Sequence, residues 1–295
     1  MSLLRTVQFV LGHPLNVNRK TRALGRFVRW QITSRLLNLS VILDFANDSR
    51  LIVRRGMTGA TGNLYCGLHE FEDMSFVLHF LRPEDLFCDV GANVGSYTIL
   101  ASAAIGSRTI AVEPVPATYQ HLVDNIQINE VEALVEALNV GIGSEIGELR
   151  FTSAFDTTNH VLSGEEVSPG AITIPATTLD QVCRDRTPGL LKIDVEGFET
   201  EVIAGAENLL GRRELAAIIM ELNGSGERYG YDEAKLHEVV VGFGFRVCQY
   251  DPFTRGLRHR TGSSTEGNLL YVRDFEYVAE RVASAPLYRV LGRGV

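Results

Sequence analysis

The chain predicts an α/β fold organised on a mostly parallel sheet, and three observations carry that expectation. Apolar runs of strand length alternate with amphipathic runs of helix length between about residues 86 and 242. Glycine-rich turns follow several of those runs, and the 28 glycines among 295 residues exceed the usual share of about 7%. With 45% hydrophobic and 22% charged residues, the chain can bury a large core and is not a disordered tail protein.

The elements follow in order. Residues 1 to 43 contain Arg5, Arg19, Lys20, Arg22, Arg26, Arg29 and Arg35 and no acid, a charge of +7. The remaining 21 bases and 36 acids carry −15, so the chain nets −8. Within the basic segment, TRALGRFVRWQITSRLL places Leu24, Phe27, Val28, Ile32 and Leu36 on one helical face, with Arg22, Arg26 and Arg29 displaced from it. That face is expected to dock on the body of the protein or on a second subunit in a homo-oligomer. Its basic side and Trp30 also fit peripheral membrane contact through residues 1–40. The next stretch, ILDFANDSRLIVRRGMTGATGNLY, reads as short strands joined by polar and glycine-rich turns. The expected organisation is an N-terminal basic helical and entrance extension over 1–64, the main domain over 65–280 and a tail over 281–295.

In the main domain, LFCDVG precedes SYTILASAAIG, RTIAVEP precedes PATYQHLVDNIQIN, LLKIDVEG precedes ETEVIAGAENLL, and AAIIMELN precedes DEAKLHEVVVGFG. Each pair is half of a βαβ unit. The late runs FRVCQYD and NLLYVRD are expected to pair as a closing antiparallel hairpin. Between them, TRGLRHRTGSSTEGN carries Arg255, Arg258, His259 and Arg260, either a solvated loop or a receiver for an acidic acceptor.

Composition narrows the setting. The acidic balance argues against broad nucleic-acid coating, so no nucleic-acid partner is expected. Cys66, Cys88, Cys183 and Cys248 form no CxxC pair, as expected of a reduced chain without a cysteine zinc site. No run approaches the roughly 20 apolar residues that span a bilayer, and the start lacks a signal-like apolar core. The expected location is the cytoplasm, with the basic segment leaving room for the inner face of a membrane.

The sharpest local signal is LFCDVGANVGSYTIL, where a strand ending at Asp89 enters a turn containing Gly91, Asn93 and Gly95 before a helix opens at Ser96 and Tyr97. Glycines there permit a tight turn and close ligand approach. The spacing is G-x-x-x-G. It therefore lacks the middle glycine of the dinucleotide fingerprint and the Walker lysine, which disfavours NAD, FAD and triphosphate chemistry. The next strand ends in Glu113, at the carboxyl edge of the sheet, where an acid can accept hydrogen bonds from a ribose diol. Loop and acid together favour an adenosine-containing cofactor.

The series DVGANVGSYT, AVEPVPATYQHLVDNIQIN, NVGIGSEIGELRF, TTLD and LLKIDVEGFETEVIAGAENLL, in this order across about residues 65–272, resembles the FkbM family of S-adenosylmethionine-dependent methyltransferases. The resemblance implies a class I methyltransferase Rossmann-like fold with a seven-stranded sheet flanked by helices. It also implies O-methylation of a sugar or natural-product hydroxyl, so the expected partner is a small-molecule or glycan acceptor, including a glycolipid. By the same resemblance Asp89, Gly91, Asn93 and Gly95 surround the methionine part of the cofactor, Glu113 holds the ribose, and Asn139 through Gly141 to Gly143 approach the adenine.

Methyl transfer is an in-line displacement, so an acceptor hydroxyl must be aligned and relieved of its proton. LLKIDVEGFE puts Asp194, then Glu196, at a strand's carboxyl end, where an ideal strand would show both on one face. Asp194 is the first choice for orienting or deprotonating the acceptor and Glu196 the second. The pair could instead bind Mg²⁺ with Glu221, cap the following helix, or pair with Lys192. His160, with Asn159 in a polar loop, is a further candidate base. Glu221 and Asn223 sit at another strand end and are candidates for sugar hydroxyls. His69, Glu70, Glu72 and Asp73 are candidates for the cofactor entrance, without the HExxH zinc spacing. Two competing functions remain: an oxidoreductase with a degenerate adenine-cofactor site, and a non-catalytic carbohydrate- or protein-binding module.

Overall fold

The computed structural model describes residues 3–36, 39–153, 159–164, 166–260 and 267–295. Apolar runs become eight strands of one sheet: β1 (Leu86–Val90), β2 (Arg108–Val112), β3 (Val135–Leu138), β4 (Leu190–Ile193), β5 (Ala217–Leu222), β6 (Arg246–Asp251), β7 (Gly256–His259) and β8 (Gly267–Val272). Their order across the sheet is β7-β6-β8-β5-β4-β1-β2-β3. Strands β3, β2, β1, β4 and β5 run parallel. β8 enters antiparallel between β5 and β6. All four residues of β4 are buried, as expected of a parallel strand covered on both faces. One face packs under the helices Phe71–Phe80 and Phe275–Ala283 and the π-helical turn Leu100–Ile105, through Phe76, Leu100 and Val278. The other packs under Glu199–Ala204 and Glu233–Gly242, through Val202, Leu236 and Val240.

This corrects the expectation of seven strands. The additional strand, β7, lies in the segment read as a solvated arginine loop and pairs antiparallel with β6, Cys248 opposite His259 and Asp251 opposite Gly256. Its cause is a tight turn in which Asp251 accepts from the Phe253 amide at 2.9 Å and from the Thr254 hydroxyl at 2.9 Å, while Arg255 adopts φ +54°. The Arg255 guanidinium then donates to the carbonyls of Ala285 and Pro286. FRVCQYD and NLLYVRD do pair antiparallel, with β7 as the outer edge beyond them. Residues 261–266 of the same loop lie outside the described residues.

A small second sheet sits between β3 and β4 in the chain, ordered Gly141–Ile142, Ile172–Thr177, Gly147–Phe151. It carries Phe151 toward the carboxyl edge of the main sheet; the polar loop that follows lies partly outside the described residues, at 154–158 and 165.

The N-terminal extension comprises helices Leu3–Gly12 and Lys20–Leu36, a hairpin of Val41–Asp44 with Arg50–Val53, and helix Thr58–Cys66. Two features differ from the sequence reading. TGATGNLYC is a helix despite two glycines, because tertiary packing overrides propensity; a Cβ at Gly62 would fall 2.3 Å from the His69 ring. Helix Lys20–Leu36 docks through Ala23, Phe27, Trp30 and Ser34, leaving Leu24, Val28, Ile32 and Leu36 outside. The docked side is chosen by its larger rings, with Phe27 and Tyr65 centroids 5.0 Å apart. Arg26 contributes as well, donating to Asn16 Oδ1 at 2.6 Å and the Tyr65 carbonyl at 2.8 Å. The chain end returns to this module: Val290 is buried and bridges Ala46, and Arg293 donates to the Leu15 carbonyl. Among the described residues, no helix is long and apolar enough to cross a membrane.

Candidate functional site

The carboxyl ends of β1, β2, β4 and β5 open on a cavity of about 250 Å³. Its floor begins with the glycine turn. Gly91 has φ +80°, and a Cβ there would lie 1.8 Å from the Asp194 carbonyl oxygen, so only glycine lets β1 and β4 end side by side. Asn93 also takes a left-handed conformation, φ +52°, and its Oδ1 accepts from the Val94 amide at 2.7 Å. Its own amide donates at 3.0 Å to Glu113, which accepts from the Val115 amide at 2.9 Å through its other oxygen. Glu113 thus ties the first turn to the end of β2. Burial pushes its carboxyl up to about 7 against the pull of those two amides.

Below the turn, Asp89 is fully buried and accepts from the Thr98 hydroxyl at 2.7 Å; among the described residues its Oδ1 has no hydrogen-bond partner. Burial raises its carboxyl and the Lys192 ammonium opposes that rise.

The acid cluster forms where β4 and β5 end. The parallel register sets Ile193 opposite Met220, so Asp194 and Glu221, the next residues, emerge together. Glu196 joins them from the turn rather than from strand alternation: β4 stops at Ile193, and Glu196 has φ +54°. Carboxylate oxygens of the three acids lie within 4.8 Å of one another. Glu199 holds that turn, its Oε1 accepting from the amides of Val195 and Gly197 at 3.1 and 3.3 Å. Gly197 is required there, since a Cβ would lie 2.5 Å from the Ser225 backbone.

Charge within the cluster is unequal. Lys192 is almost wholly buried and donates to Asp194 Oδ2 at 2.7 Å. Burial alone would lower its ammonium, but Asp194, Asp89 and Glu70 hold it well above the usual range. Burial pulls Asp194 upward, yet Lys192 and a hydrogen bond from Glu221 leave its carboxyl below the ordinary value. Glu221, buried beside that charge, is pushed up to about 9, and Glu196, for the same two reasons, to about 7. Lys192 thus favours the charge on Asp194, and burial favours the proton on Glu221 beside it.

Of the residues selected from sequence, Gly91, Asn93, Ser96, Tyr97, Glu113, Asn159, Asp194, Glu196 and Glu221 line the cavity, as do His69 and Glu70. Asp89 and Gly95 lie behind it; Gly95 has φ +89° and packs against Leu122. Asn139 donates to the carbonyls of Glu113 and Pro114 at 2.9 and 2.8 Å, bracing the turn after β2. Gly141 pairs with Ala176 in the small sheet, and Ile142 beside it reaches the cavity. His160 faces Glu166 at 3.3 Å, and Asn223 accepts from the Ser225 amide at 2.9 Å in a turn; neither lines the cavity. Asp73 shares Asn268 with Glu70, and burial lifts its carboxyl to about 7.

Sequence reasoning gave Lys192 only a pairing role and missed Asn63 and Glu199. Asn63 is buried in the helix Thr58–Cys66 and donates to Ser96 Oγ at 3.0 Å while accepting from the His69 amide at 2.8 Å. Nothing local marks it. Glu199 had a signal, an acid in a helix's first turn.

The family model described as Methyltransferase FkbM domain matches residues 89–247. A hexuronic acid methyltransferase, AglP, of Haloferax volcanii is 29% identical over 146 residues, which are 48% of this chain and 58% of that protein. The 31-O-demethyl-FK506 methyltransferase FkbM of Streptomyces tacrolimicus is 28% identical over 228 residues, 63% of this chain and 83% of that one. Among solved structures, a methyltransferase FkbM from Methylobacillus flagellatus KT superposes on 72% of this chain and 52% of its own, with 16% identity and a TM-score of 0.46. The chain therefore spans little more than half the length of the Haloferax relative and of that solved structure.

Proposed function

Because the chain belongs to the FkbM methyltransferase family, we propose that it transfers a methyl group from S-adenosylmethionine to a hydroxyl of a sugar, glycolipid or glycosylated natural product. Membership supports methyl transfer from this cofactor in general; the acceptor class rests on the relatives, one named for a hexuronic acid and one for 31-O-demethyl-FK506. The residues present fit the cofactor. The lining gathers acceptor oxygens of Glu70, Glu113, Asp194, Glu196 and Glu221 around one space beside Lys192, hydrogen-bond partners for a molecule carrying an ammonium and a ribose diol. Glu113, with a lone pair left on each oxygen after its two amide bonds, is placed to accept from the ribose diol.

When bound, the cofactor supplies the methyl group and a neutral thioether leaving group. Asp194 would accept the proton of an acceptor hydroxyl held in the cavity that it lines. Lys192 keeps Asp194 ionised without competing for the proton, and protonated Glu221 fixes its orientation. Phe151, Val161 and Phe198 wall the same space with apolar surface and limit water around the reacting atoms. The carrying observation is geometric: Asp194 stands 2.7 Å from the buried Lys192 ammonium and within 4.8 Å of Glu221, on the cavity floored by the glycine turn.

The test is transfer of isotopic methyl from S-adenosylmethionine to a panel of hexuronic acids, neutral sugars and their glycolipids, read by mass spectrometry. Label on a glycan hydroxyl supports the reading; label confined to nucleic acid, or retention of a nicotinamide with no affinity for the sulfonium cofactor, overturns it. Asp194→Asn should lower kcat by about 10²–10⁴-fold while calorimetry still shows cofactor binding. A kcat within twofold of the parent would remove Asp194 from its role.

A second use of the trio has its own support. Three carboxylate oxygens within 4.8 Å form a donor set suited to Mg²⁺, although Lys192 at 2.7 Å from Asp194 opposes a second cation there. Exhaustive chelation followed by Mg²⁺ decides between them, since full activity after chelation rejects the metal.

A further inference from the structure

We propose that the N-terminal helices form a docking face for an anionic lipid surface. Leu24, Val28, Ile32 and Leu36 recur every four residues and so make one stripe along the helix Lys20–Leu36. Each is between 42% and 77% exposed. Leu39 and Ile42 beyond the helix are exposed as well, and helix Leu3–Gly12 exposes Leu3, Leu4 and Phe9. Burying such side chains is the main gain of interfacial binding. A monomeric surface has no reason to gather so many large apolar residues on one short module.

Charge chooses the occupant. Lys20, Arg22, Arg29 and Arg35 are exposed on the same helix, and among the described residues none has a carboxylate within 4.0 Å. No acid occurs before Asp44. A second copy docked by a two-fold axis would press a +7 segment against its equal, whereas anionic headgroups neutralise the cations as the apolar stripe enters the acyl boundary. A trough of about 240 Å³ on the same module adds an independent feature. Its walls include Trp30, Leu39, Val41 and Leu64, with the exposed Arg29 beside them, a composition matched to an acyl chain beneath an anionic headgroup. The module also touches the catalytic end. Gln31 donates to the Tyr65 hydroxyl at 2.7 Å, and the helix bearing Tyr65 supplies Thr58, Gly59 and Asn63 to the cavity.

The experiment sediments the full chain with vesicles of phosphatidylcholine alone and of phosphatidylcholine mixed equally with phosphatidylglycerol. The expected result is pelleting with the mixed vesicles only, weakening as salt rises. The double substitution Val28→Glu, Ile32→Glu, at exposed positions, should lower vesicle affinity by at least about tenfold with an unchanged melting temperature. Failure of the parent chain to pellet with anionic vesicles overturns the proposal, as does equal pelleting of the variant. Light scattering supplies the other outcome: a parent dimer converted to a 32.5 kDa monomer by the same substitutions would assign the face to a second copy.

Discussion

Replacing Gly91 by alanine puts one methyl group where the two central strands converge. The residue sits at φ +80°, and the added Cβ would lie 1.8 Å from the Asp194 carbonyl oxygen and 2.8 Å from its carbonyl carbon. An ordinary carbon–oxygen contact needs about 3.3 Å, so roughly 1.5 Å must be found by moving backbone, since no rotamer relieves a clash with a main-chain atom. The left-handed conformation costs about 1–2 kcal/mol for a residue with a Cβ, and overpacking about 1–3 kcal/mol. The hydrogen bonds from Asp194 N to Val90 O and from Gly91 N to Val112 O, both 3.0 Å, are the ones that the movement stretches, at about 1 kcal/mol each. The sum, about 4–7 kcal/mol, is a large share of the roughly 5–15 kcal/mol that holds a domain folded. For a chain of this size it corresponds to a melting temperature about 10 °C lower. Because Gly91, Ala92 and Asn93 line the cavity, cofactor affinity should fall as well. Calorimetry reads both quantities. Gly25→Ala, on an exposed helix position with nothing within 4 Å, should be neutral or stabilising by about 0.5–1 kcal/mol. A Gly91→Ala protein with the parent's melting temperature and cofactor affinity would refute the close approach of β1 and β4.

Other expectations follow from the same geometry. Glu113→Gln keeps the shape but turns one of the two oxygens that accept from Asn93 and Val115 into an NH2 that cannot accept, and titration calorimetry should show cofactor binding weakened by about 10–100-fold; a change under twofold would detach Glu113 from the cofactor. Lys192→Met removes the cation that holds Asp194 low, so the acidic limb of the kcat profile should move to higher pH, and an unmoved limb would show that Lys192 does not set that ionisation. Burial drops His13 and His79 to about 4, below their ordinary value near 6.5. Both stay neutral in the fold, so their support for stability is complete above about pH 6.5 and is lost as pH falls toward about 4. Imidazole NMR titration should find two rings still neutral near pH 5, and titration of all seven histidines between pH 6 and 7 would contradict that burial.

Much of the architecture is readable locally. β1, β2, β4 and β5 are short apolar runs closed by turns, and the glycine turn and Glu113 announce themselves by spacing because a tight turn and a strand-end acid are properties of neighbouring residues. Strand β7 was hidden by its composition: GLRH looks like solvated loop until Asp251 closes the turn and β6 offers an edge. Helix Thr58–Cys66 was hidden by its glycines, one of which is there for the His69 ring.

What the sequence alone determined was the α/β class, the family, the turn that forms the cavity floor and the presence of Asp194 at a strand end. Those are encoded over a dozen residues or fewer, or by an ordered series of such stretches. Only the tertiary structure decided that Glu221, 27 positions later in the chain, donates to Asp194, that Lys192 is buried against it, and that helix Lys20–Leu36 docks by Phe27 and Trp30 rather than by its leucine stripe. Each of these depends on β-strand register or on which of two apolar faces finds the better-fitting neighbour, and both are set by contacts between residues remote in sequence.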